Sequence, residues 1–102
     1  MKFLVTGTTG STPIPPEQGV YLYTAAIAWM EERLKNGKVD CHYTFPDRGG
    51  FAIVNVNSAE ELDDEILSYP LYPFFDWDVA VLAEWKHSYR SLMELFKKLA
   101  AK

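Results

Sequence analysis

VDCHYTFPDRGGFAIVNVNSAEEL, residues 39–62, holds the three events that decide the fold. In VDCHYTF (39–45), Val39, Cys41, Tyr43 and Phe45 alternate with Asp40, His42 and Thr44, which predicts a half-buried strand with those two sets on opposite faces. PDRGG (46–50) has the proline and glycines of a tight reversal, and FAIVNVN (51–57) is a return strand, so the pair reads as a hairpin. Ser58 with Glu61 three residues later is a capping box that starts a helix with Ala59, Leu62 and Ile66 inward. Its acidic members, Glu60, Glu61, Asp63, Asp64 and Glu65, read as a solvated face.

Upstream, KFLVT (2–6) is a short strand ending at Gly7, and GTTGSTPIPP (7–16) is a loop because its prolines and glycines support neither helix nor ladder. From about Glu17, Val20, Tyr23, Ile27, Met30 and Leu34 recur at helical spacing until Asn36-Gly37 ends the run. Downstream, SYPLYPFFDWDV (68–79) turns at Pro70 and Pro73, and WDVAVLAEW (77–85) is a fourth strand. Ser88 or Ser91 caps a last helix striped by Leu92, Leu95, Phe96 and Leu99. The order βαββαβ, then an extra helix, predicts an α+β, ferredoxin-like antiparallel sheet with both main helices on one face. Both faces of FAIVNVN are apolar, which predicts a homodimer with sheets packed face to face, or a higher oligomer of such dimers. The terminal helix must also bury its stripe, and is expected at the dimer rim, partly over a pocket entrance.

A chain of 102 residues that is 48% hydrophobic and 24% charged suits one domain, residues 1–102, with one core. A net charge of −4 without a basic stripe argues against nucleic acid. One cysteine, no apolar run of spanning length and no signal-like start point to a cytoplasmic protein with no membrane partner. GTTG after the first strand resembles a dinucleotide-binding turn, but Pro13 stands where the third glycine belongs and no acidic residue ends a second strand. Two histidines 45 positions apart and a lone cysteine offer no metal-ligand spacing.

IPPEQ (14–18), FAIVNVNSAEEL (51–62) and YPLYPFFDWDVAVLA (69–83) together resemble the muconolactone isomerase-like family, small proteins of the dimeric α/β-barrel type. The resemblance covers residues 1–85 and leaves 86–102 as a helical extension. It implies a cofactor-independent isomerase that shifts a double bond in a small unsaturated lactone or related acid, taking a proton from one carbon and returning one to another. Such a step needs a base, a donor to the incipient enolate and a dry pocket.

His42, Asp76 and Glu32 are the candidate bases. His42 is equally readable as a histidine on a half-exposed strand, Asp76 as a polar strand start, and the Glu31-Glu32-Arg33 turn as solvated or folded over the pocket. His87, after the fourth strand, reads as exposed. Tyr43, Tyr72, Phe74 and Phe75 are candidate ligand contacts, and the rings of the 69–75 loop either close the core or line a pocket. Three readings therefore stay open: a proton-transfer enzyme, a small-molecule binding module without chemistry, and a purely structural dimer.

Overall fold

The computed structural model describes residues 1–101. Strand β1 (Lys2–Thr9) leads to helix α1 (Gly19–Asn36), then β2 (Val39–Thr44), β3 (Gly49–Asn55), α2 (Ala59–Ser68), β4 (Phe75–Leu82) and α3 (Trp85–Ala100). The four strands form one antiparallel sheet in the order β2-β3-β1-β4, so each split β-α-β unit crosses over one intervening strand. No described helix is long and apolar enough to cross a membrane.

α1 and α2 cover one face, here called inner. Phe3, Val5, Val39, Val54 and Val56 pack there with Leu62 of α2, while Met30 of α1 and Ile66 of α2 close around them. Register places Leu4, Thr6, Phe51, Ile53 and Ala80 on the outer face, which neither α1 nor α2 covers.

Each helix boundary has a local cause. Gly37, at φ 83°, ends α1 in the left-handed region that glycine enters without a Cβ clash. Ser58 Oγ accepts from Glu61 N at 3.1 Å and caps α2 as expected, while the Glu61 carboxylate reaches back one residue past the cap to accept from Asn57 N at 3.0 Å. α3 begins earlier than the serines suggested: the Glu84 carboxylate accepts from His87 N at 2.9 Å, and Ser88 donates its hydroxyl to the Glu84 carbonyl. A carboxylate at the cap also suits the positive end of the helix.

Two further expectations are corrected. β1 continues through Gly7 to Thr9 because Gly7 pairs with Gly50 on one side and Trp77 on the other. A Cβ there would lie 2.9 Å from the Trp77 ring, so glycine leaves room for an indole laid across the strand. The second correction concerns β2, whose register shifts between Val39 and Cys41. The bulge puts Val39 and His42 on the inner face together and turns Cys41 and Tyr43 outward. Asp40, the extra residue, accepts from Lys2 Nζ and Asn55 Nδ2, and these partners hold its carboxyl below the usual range.

α1 and α2 are joined by a charged clamp. Glu65 accepts from Arg33 Nε at 2.6 Å and Lys38 Nζ at 3.0 Å, and the Arg33 guanidinium lies 3.8 Å from the Trp29 ring centroid. Burial alone would raise the Glu65 carboxyl, but the two hydrogen-bonded cations outweigh it and leave it lowered from 4.5. α3 is different: it buries no residue and extends from the body, giving the molecule axes of 66, 29 and 24 Å.

Because the folded Glu65 carboxyl lies below its unfolded value, its stabilisation is complete above about pH 4.5 and fades as pH falls through the folded value. Glu65→Gln is expected to cost about 1–2 kcal/mol at neutral pH in denaturant titration, with the gap to wild type closing in acid. Gly7→Ala should cost about 1–3 kcal/mol in the same assay, since the indole has to leave its seat.

Candidate functional site

Between the inner sheet face and the helices lies a cleft of about 530 Å³, a volume suited to a small organic molecule. Its floor is apolar: Val5, Ala52 and Val54 from the sheet, with Ile66 of α2 and Trp77 of β4 alongside. The mouth lies where α1 stands off the sheet. There Tyr23 and Ile27 keep 49% and 58% of their surface exposed while also lining the cleft. The apolar stripe read from α1 thus borders an open cavity, and Ala26 is the one α1 residue that is fully buried.

Polar groups converge at few points. His42 lines the cleft beside Ala52, its partner across the ladder. Its Nδ1 lies 3.0 Å from the Phe51 carbonyl oxygen. A carbonyl can only accept, so Nδ1 carries the proton and Nε2 of the neutral ring keeps its lone pair. Gly50, across the ladder from Thr44, has no room for a side chain, because a Cβ there would stand 2.6 Å from the Tyr43 carbonyl oxygen. Thr44 follows on the same side of the strand.

Tyr69, just past the end of α2, also lines the cleft. Its ring meets Trp29 edge-on at 5.0 Å and Trp77 at 5.8 Å. Burial, with a smaller contribution from nearby Tyr23, pushes its phenol above 10.0, so it stays protonated as a donor. Arg48 brings a cation to the mouth from the β2–β3 turn, where its backbone adopts a positive φ of 70°. Among the described residues no group of three or more His, Cys, Asp and Glu converges on a metal-sized site.

Of the residues named from sequence, the cleft gathers His42 and Phe75. Asp76 lies on the outer face opposite Thr8, because β4 alternates and its neighbours Phe75 and Trp77 face inward. Glu32 points to solvent beside Arg33, whereas Glu31 one position earlier lines the cleft. Tyr43 is turned outward by the bulge and is 65% exposed. Tyr72 stacks on Trp77 at 6.3 Å and accepts the Trp77 indole N–H at its carbonyl, so it supports the wall from behind. Phe74 accepts from Gly10 N at 3.0 Å, which ties the 72–74 turn to the end of β1. Arg48 is an addition to that set, and Tyr69 and Glu31 enter the cleft from the 69–75 rings and the Glu31-Glu32-Arg33 turn, both of which the sequence leaves open as pocket walls. A tyrosine immediately before Pro70, at the end of an acidic amphipathic helix, was the available signal for Tyr69.

No protein-family model matches the sequence, and no curated protein matches it. Solved structures do. A crystal structure of muconolactone isomerase superposes with a TM-score of 0.74 at 21% identity, covering 82% of this chain and 90% of that one. A 5-chloro-2-hydroxyhydroquinone dehydrochlorinase from Burkholderia phenoliruptrix AC1100, in complex with 2,5-dihydroxybenzoquinone, superposes with a TM-score of 0.64 at 20% identity, covering 85% and 98%. With its four-stranded antiparallel sheet under two helices and a further helix at the C-terminus, the chain has the muconolactone isomerase-like fold.

Proposed function

We propose that the protein is a cofactor-independent enzyme that moves a proton between two carbons of a small unsaturated lactone or related acid. The observation that carries this reading is a base with a free lone pair, His42 Nε2, sharing one apolar cleft with a phenol held protonated, Tyr69. His42 Nε2 removes a proton from the carbon next to the carbonyl, and the electron pair moves onto the carbonyl oxygen as a dienolate. The Tyr69 O–H donates to that oxygen while the charge is present. The imidazolium returns its proton to the far end of the conjugated system, which shifts the double bond and restores the neutral ring. Arg48 contributes a fixed positive charge at the mouth and favours substrates that carry a carboxylate. The similarity in fold to a muconolactone isomerase and to a dehydrochlorinase supports an enzyme that processes a small molecule.

The test is proton NMR of a carboxylated unsaturated γ-lactone in deuterium oxide with the full chain. Deuterium should enter at carbon and the double bond should move. His42→Ala is expected to lower kcat by about a hundredfold or more, and Tyr69→Phe on the order of a hundredfold. Arg48→Ala should act mainly by raising KM. Saturable binding without exchange would assign the cleft to a ligand-binding module, and an unchanged rate in His42→Ala would remove the histidine from the chemistry.

A further inference from the structure

Two helix stripes lack a partner within the chain. On α3, Trp85, Leu92 and Leu99 recur every seventh residue and are between 50% and 59% exposed. On α1, Val20, Ile27 and Leu34 recur at the same interval and are between 43% and 83% exposed. A seven-residue apolar repeat is the seam along which two helices pack. From Trp85 to Leu99 and from Val20 to Leu34 the rise is the same, about 21 Å. α3 buries none of its residues and extends from the body, so the two seams do not meet inside one molecule. A lone helix of 16 residues is marginal in water, and α3 therefore requires a surface.

Charge selects the partner seam. Residues 85–102 carry Lys86, Arg90, Lys97, Lys98 and Lys102 against Glu94, a net +4. Residues 1–84 carry thirteen carboxylates against Lys2, Arg33, Lys35, Lys38 and Arg48, a net −8. Two α3 helices would repel one another, whereas α3 and the body of another molecule attract.

Charge also sets the direction. With each helix viewed from outside and its N-terminus at the bottom, steps of about 100° per residue place Lys86, Arg90 and Lys97 on the right border of the α3 stripe. In the same view Glu31 and Glu32, with Glu17 just ahead of α1, fall on the right border of the α1 stripe, together with Lys35. Two right-hand borders coincide only when the helices face each other antiparallel. In that register Trp85 meets Leu34, Leu92 meets Ile27 and Leu99 meets Val20. Lys86 then lies beside Glu32, Arg90 within a turn of Glu31 and Lys97 within a turn or so of Glu17, while Lys35 lies beyond the start of α3. Leu95, on the left border, comes opposite Tyr23. Tyr23 and Ile27 are the half-exposed residues that border the mouth of the cleft.

From these features we infer that α3 of a second copy of this chain docks antiparallel on α1 and closes the mouth of the cleft. A site built in one molecule is thereby roofed by the terminal helix of another. The outer sheet face stays free for the face-to-face pairing expected from the sequence.

Disulfide trapping between full-length chains that each carry one cysteine, in a Cys41→Ser background, tests this. A mixture of Ile27→Cys and Leu92→Cys chains should cross-link on mild oxidation, as should Val20→Cys with Leu99→Cys. Val20→Cys with Trp85→Cys should not, because antiparallel packing holds those positions at opposite ends. All five side chains are exposed within the single chain, so their replacement leaves the fold intact. Lys86→Glu with Lys97→Glu on the Leu92→Cys chain should slow trapping to Ile27→Cys by about tenfold. Glu17→Lys with Glu32→Lys on the Ile27→Cys chain should slow it equally, and reversal on both chains should restore the rate to within roughly threefold. A rate that ignores both charge changes would overturn the inference. So would faster trapping between two Leu92→Cys chains, or between Leu92→Cys and Ala80→Cys on the outer sheet face. Flotation of the wild type with phosphatidylglycerol vesicles, with no link between positions 27 and 92, would assign α3 to a lipid surface instead.

Discussion

β2 meets the inner face twice on different phases, first at Val39 and then at His42, and the one residue between them that breaks the alternation is Asp40. Strict pleating from a buried Val39 would carry Cys41 and Tyr43 inward and leave the imidazole in solvent. Two donors hold the extra residue: the Asp40 carboxylate accepts from Lys2 and Asn55, and Asn55 also donates to the Gly37 carbonyl where α1 ends. The bulge is thus fastened to β1, to β3 and to the helix terminus together. Every polar property of the cleft that involves His42 follows from that fastening.

The order of strands and helices was legible because each element carries its own signal: the alternation of 39–45, the capping box at Ser58 and the helical spacing from Val20 to Leu34. The side that each strand presents was less so. Alternation fixes which residues share a face, but a bulge is a long-range agreement among Lys2, Asp40 and Asn55, and no local pattern records it. Asp76 shows the converse case, in which the alternation is intact and the aromatic neighbours Phe75 and Trp77 claim the inner face. Residue type favours Ser88 as the cap of α3, while the cap in the fold is Glu84, a glutamate supplied by the two-residue connection after β4.

The cleft itself reflects a compromise in packing. α1 is held at its C-terminal half by Arg33, Trp29 and the Glu65 clamp, and its N-terminal half remains apart from the sheet. On the sheet, Ala52 leaves space in the cleft floor that a larger side chain would have filled, while Gly7 makes room for the Trp77 indole in the wall. A core of eight buried hydrophobic residues and an apolar cavity beside it therefore come from the same set of choices.

The three tryptophans occupy three separate environments. Trp29 lies against the Arg33 guanidinium and donates to Ser68, Trp77 is stacked on Tyr72 in the cleft wall, and Trp85 stands 59% exposed at the root of α3. Their intrinsic fluorescence is accordingly a built-in map. Trp85 supplies the red-shifted, iodide-quenchable emission, Trp77 the component that a molecule entering the cleft would quench, and Trp29 a record of the helix clamp. Single-tryptophan versions of the chain would separate ligand entry, loosening of the helix layer and burial of the terminal helix as three optical signals in one titration.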